Sequence, residues 1–121
     1  MLLLCACSAQ RVTHIAPWQA VALSADDQTI TLRYRHEGGD CGGFERVDIG
    51  ETGRGVLVTV HVWQRESRVP CDTADVESEL DVRLEQPLGQ RLLAGCRLGD
   101  DLADPDEGRT TDTDCAAELR P

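Results

Sequence analysis

The stretch "RYRHEGGDCGGFERV", residues 33–47, sets His36, Glu37, Asp40 and Cys41 among four glycines. These residue types could ligate zinc or serve a thiol nucleophile. A zinc site needs three or four ligands converging on one point. Here glycines separate the candidates, and the other histidines, His14 and His61, lie far off in sequence. Gly38, Gly39, Gly42 and Gly43 would instead let the chain bend sharply enough for a disulfide to close. A phosphate cradle is excluded on different grounds: its glycine loop opens a helix, whereas this one opens a strand in an acidic setting. The expectation is a disulfide-stapled loop with no metal, no cofactor and no catalytic residue.

Other chemistries fare no better. Ser8, Ser24, Ser67 and Ser78 all lie outside a G-x-S-x-G context. A Cys41–His61 pair would need a free thiolate, which a bridged Cys41 does not offer. The acidic run "DPDEGRTTD" evokes calcium, but an EF-hand loop wants glycine sixth and glutamate twelfth. Counted from Asp104, those positions hold Arg109 and Cys115.

The elements that would hold these residues are strands. Ile30, Leu32 and Tyr34 alternate with Thr31 and Arg33; Val47 and Ile49 alternate with Arg46 and Asp48; Val56, Val58, Val60 and Val62 form one stripe; Leu80, Val82 and Leu84 alternate with Asp81, Arg83 and Glu85. Period-two alternation marks half-buried antiparallel strands. "SADDQ" and "ETGRG" read as hairpin turns, "EQPLGQ" closes a strand over 77–85, and "RLLAG" returns as a sixth. Helical spacing is absent over any long window. A small antiparallel β-sandwich or open barrel of about six strands follows. Opposite the valine stripe, Leu57, Thr59, His61 and Trp63 share a face. An exposed Leu57, His61 and Trp63 there would be a binding patch, unless the N-terminal tether, a loop or the tail covers them; covering is the simpler reading.

With 121 residues the chain suits one domain. Its only aromatics are Trp18, Tyr34, Phe44 and Trp63, so the core must be aliphatic. The formal charge is −10, and every one of the 12 basic residues is arginine. The acidic balance argues against nucleic acid and against adhesion of the protein surface to an anionic membrane.

Six cysteines in so short a chain point away from a reducing cytosol. Cys41, Cys71, Cys96 and Cys115 lie 19 residues or more apart, Cys96 to Cys115 being the shortest step, so the close ligand pairs of zinc modules are missing. The start "MLLLCACS" resembles the lipobox of bacterial lipoproteins, with Leu4 and Ala6 before Cys7 and Ser8 after it. That resemblance implies cleavage before Cys7 and acylation of its thiol. Four cysteines would then remain, enough for two bridges. Acyl chains hold a protein at a bilayer without any basic surface.

The expected organisation is a signal remnant at 1–6, a tether at 7–16, a β domain at 17–96 and a flexible acidic tail at 97–121. The tail carries too few large apolar residues to offset its ordering entropy. Cys115 pairs most plausibly with Cys96, and a Cys41–Cys71 bridge would join two loops.

"YRHEGGDCGGFERVDIGET", "VLVTVHVW", a lone Cys71 and "LDVRLEQPLGQR" together resemble a family of small predicted lipoproteins from GC-rich Gram-positive bacteria. The matching positions are Tyr34, Gly38, Gly39, Cys41, Arg46, Val47, Glu51, Thr52, Cys71, Pro87, Leu88, Gly89 and Arg91. The family has no established activity, so the resemblance implies location and architecture only. The sequence therefore leads to a secreted, palmitoylated, membrane-tethered module at the outer face of the cell membrane, binding or structural, with an envelope protein or ligand as partner. The rival is an envelope enzyme built on His36 or His61 with nearby acids.

Overall fold

The structure, a computed structural model, describes residues 10–66 and 74–98. It is all-β, with seven strands in two sheets and one short 3-10 turn. The strands are β1 (Gln10–Ala16), β2 (Trp18–Leu23), β3 (Thr29–Glu37), β4 (Gly42–Glu51), β5 (Gly55–Glu66), β6 (Asp75–Arg83) and β7 (Leu92–Gly95).

In one sheet β5 is central. It pairs antiparallel with β4 along one edge. Its other edge is shared end to end: β1 pairs antiparallel with Val60–Glu66, and β7 pairs parallel with Gly55–Val58. The second sheet runs β2–β3–β6, all antiparallel. The chain changes sheets at Pro17, which separates Ala16 on β1 from Trp18 on β2.

The alternation places the core as expected. Val56, Val58, Val60 and Val62 face Trp18, Ala20, Ile30, Leu32, Tyr34, Val82 and Leu84 across the two sheets, and all are buried. Trp18 ties the corner together. Its backbone N–H donates to Cys96 O at 2.9 Å and its carbonyl accepts from Leu98 N at 2.7 Å. Its indole Nε1–H donates to Val58 O at 3.0 Å. This reach requires a glycine at 95: the residue has φ +140°, and a Cβ there would overlap Val58 O and press on the indole ring. Arg97 packs 5.5 Å from the Trp18 ring and donates to Leu93 O, while burial pulls its guanidinium below the usual arginine pKa.

Two boundaries differ from the sequence reading. Residues 10–16 are a strand rather than tether, because the free edge of β5 offers ladder partners that a polar segment can take regardless of its weak alternation. The domain also continues past Cys96, since Arg97 bridges to Trp18 and Leu98 donates to it. Among the described residues the strand count is thus seven. The signal remnant, residues 7–9 of the tether and residues 99–121 of the acidic tail lie outside the described residues.

Candidate functional site

The glycine loop is built for close packing. Cys41 ends the 3-10 turn Gly39–Cys41, whose amide donates to Gly38 O at 3.1 Å, and Gly39 has φ +61°. Gly42 and Gly43 then pass against Trp63. A Cβ on Gly42 would stand 2.8 Å from Trp63 O, and one on Gly43 would stand 3.0 Å from the indole Nε1. Glycine is required here by contact with β5.

Cys41 and Cys96 are both disulfide-bonded. They do not bond each other. Cys41 precedes Gly42, opposite Gln64, and Cys96 follows Gly95, opposite Val58. Six residues of strand span about 20 Å, far beyond the reach of one bridge. Cys71 and Cys115, the partners expected from sequence, lie outside the described residues, as does the lipidation candidate Cys7.

His36 is engaged through both ring nitrogens. Glu37 O, an acceptor, lies 2.8 Å from Nδ1, so Nδ1 carries the proton and donates; Nε2 then accepts from Ser78 Oγ at 2.9 Å. The Tyr34 ring stands 5.6 Å away, and burial raises the Tyr34 hydroxyl pKa, partly offset by a hydrogen bond with Ser78. Among the described residues, no three His, Cys, Asp or Glu side chains converge as metal ligands.

The face opposite the valine stripe divides in two. His61 is only 4% exposed, covered between Ile15 on β1 and Arg46 on β4, its register neighbours. Its Nε2 lies 2.9 Å from Asp48 Oδ2, and Asp48 also meets Arg46 Nε at 3.4 Å. Trp63 is half-buried beneath the Arg11 guanidinium, 4.0 Å from the ring centroid. The possible binding face of Leu57, His61 and Trp63 is therefore not one open surface, in line with the covered alternative. Residues once assigned to the tether cover its middle, and only Leu57 is exposed. Leu57 belongs to a groove of about 410 Å³ that Leu92, Ala94, Gly50 and Arg54 also line.

Sequence reasoning did not single out Asp48, although the β4–β5 hairpin fixes it opposite Thr59, two residues from His61 and on the same face. Nor did it find the role of Glu51. This carboxylate accepts from the Glu85 amide at 2.7 Å and meets Arg91 Nη2 at 3.2 Å. Arg91 in turn donates to the carbonyls of Thr52, Gln86 and Pro87. The pair clamps the β4–β5 turn to the 85–91 loop. The Glu85 amide and, behind it, Arg91 hold the Glu51 carboxyl below its ordinary pKa.

Comparison of the chain with protein-family models, curated proteins and solved structures found no match.

Proposed function

We propose that the chain is a secreted, lipid-anchored module of the cell envelope whose β-sandwich serves binding or architecture. The observation behind this reading is the oxidised state of Cys41 and Cys96. Each sits where an element ends, and stable bridges of this kind belong to compartments outside the reducing cytosol. The lipobox-like "LCACS" at 4–8 supplies the anchor, acylated on Cys7. Bridges from Cys41 to Cys71 and from Cys96 to Cys115 complete the assignment and leave no thiol over. The resemblance to small lipoproteins of GC-rich Gram-positive bacteria agrees with it.

A specific observation favours the rival, an envelope enzyme: the His61–Asp48 pair has the spacing of a base and its orienting acid. Against it stand the covered ring of His61 and the bridged Cys41, which has no thiolate to present. Fractionation tests the anchor. Expressed behind a complete secretory signal, the protein should sediment with membranes, and Cys7→Ser should release it to the soluble fraction. A Cys7→Ser protein retained equally on membranes would remove the lipid anchor from the account.

A further inference from the structure

The two outer faces of the sandwich carry opposite electrostatic arrangements. On the β2–β3–β6 sheet each outward arginine has a carboxylate: Arg33 meets Glu79 at 3.4 Å, Arg35 meets Glu77 at 3.9 Å, and Arg83 meets Asp26 at 3.5 Å. The β1–β5–β4 sheet presents Arg11, Arg46, Arg54 and Arg65 outward, all exposed. Only Arg46 has an acid, Asp48. Among the described residues, no carboxylate forms a salt bridge with Arg11, Arg54 or Arg65. Even with the bulged Glu45 counted at its margin, cations outnumber acids on this face, in a chain of net charge −10.

Arg11 and Arg65 are also direct cross-strand partners. Like charges so placed oppose pairing, and an anion between them would relieve the conflict. The same face carries apolar groups: Leu92 is 74% exposed and Leu57 42%, with Ala94 beside them. Trp63 lies under Arg11 at the other end of β5. Exposed leucines at one end of β5, and arginines over a half-buried aromatic ring at the other, about 27 Å from Leu57 to Arg65 along the strand, match the chemistry of a bilayer interface. There tryptophan and arginine sit at headgroup level while leucine enters the acyl boundary.

We infer that the outer face of the β1–β5–β4 sheet docks on an anionic lipid surface, Arg11 and Arg65 taking headgroup phosphates and Leu57 and Leu92 inserting shallowly. The whole-chain charge pointed away from such adhesion, but the excess of arginines over acids on this face reverses the local sign. The inference gains from the anchor proposed above, because Gln10 opens β1 only three residues after Cys7, at most about 11 Å of chain. It does not depend on acylation for its test.

The test uses the unlipidated, full-length Cys7→Ser chain and vesicles of phosphatidylcholine, alone or with one-quarter phosphatidylglycerol, in low salt. The chain should cosediment with the anionic vesicles, spare the neutral ones, and dissociate in 0.5 M salt as surface charges are screened. Arg11→Gln and Arg65→Gln should each weaken partitioning about fivefold. Leu92→Ser should weaken it too, and Arg33→Gln on the opposite face should not. Brominated lipid should quench the fluorescence of Trp63 in the unmutated face, a readout independent of how the variants fold, since Trp18 is fully buried. Equal binding to neutral vesicles, no binding, or no quenching would overturn the inference. Binding that ignores Leu92→Ser and yields to soluble polyphosphate would assign the face to a polyanion and overturn the lipid assignment. Failure of the anchor would appear separately, as membrane release of the lipidation-competent protein.

Discussion

Trp18→Phe probes the corner where the two sheets meet. The ring of Trp18 is fully buried, and its indole N–H is the donor to Val58 O. Phenylalanine keeps the backbone bonds to Cys96 and Leu98 but removes this donor. A buried carbonyl left without a partner costs about 1–3 kcal/mol. The smaller ring leaves a partial cavity worth roughly 1–2 kcal/mol, below the full truncation of an aromatic to alanine. Together the loss is about 2–5 kcal/mol, a large share of the stability of a small domain. For a domain of this size each kcal/mol moves the melting temperature by about 4–8 °C, so a fall of roughly 8–40 °C is expected. Thermal unfolding followed by far-ultraviolet circular dichroism measures it, with Trp63 remaining as a fluorescent reporter of the folded state. A shift below about 3 °C would refute the claim that Trp18 couples β2, β5 and the segment after β7.

Gly95→Ala should destabilise far more than Gly89→Ala, although both glycines have positive φ, because only at 95 would the Cβ overlap a backbone carbonyl; comparative denaturant melts decide this, and equal losses would contradict it. Acid stability should report Glu51. Its folded pKa is held below the ordinary 4.5 by the Glu85 amide and Arg91, so its contribution is present above 4.5 and is lost as pH falls through the depressed value. Melts of wild type and Glu51→Gln should therefore differ most at neutral pH and converge at strongly acidic pH; a gap that widens on acidification would reverse the sign.

The valine stripe at Val56–Val62 and the two hairpins were legible because period-two alternation states which face is buried, and the core assembles on those positions. β1 was not legible. "QRVTHIA" mixes polar and apolar residues without clean alternation, and its strand state comes from the edge of β5, some 50 residues away in sequence. Covering of His61 was the simpler reading of the sequence, but that a paired strand flanks it was not legible. The parity was right, but the strand that covers the ring had been read as tether. The glycines at 42 and 43 announced a bend, while their actual constraint, contact with Trp63, depends on a register no local pattern contains. The pairing of Trp18 with Gly95 is likewise a long-range agreement between one large residue and one absent side chain. The arginines of the outer face were hidden inside a strongly negative total, since charge counts do not report which sheet face carries which sign.

Peptide mapping of the non-reduced, alkylated protein recovered from the membrane fraction bears most directly on the central claim of an oxidised, lipid-anchored β-sandwich. The expected products are one peptide pair joining Cys41 to Cys71, another joining Cys96 to Cys115, and an amino-terminal peptide beginning at an acylated Cys7. Alkylated thiols at Cys41 and Cys71, or an unmodified Cys7 still preceded by its upstream residues, would contradict it and return a thiol-dependent chemistry to first place.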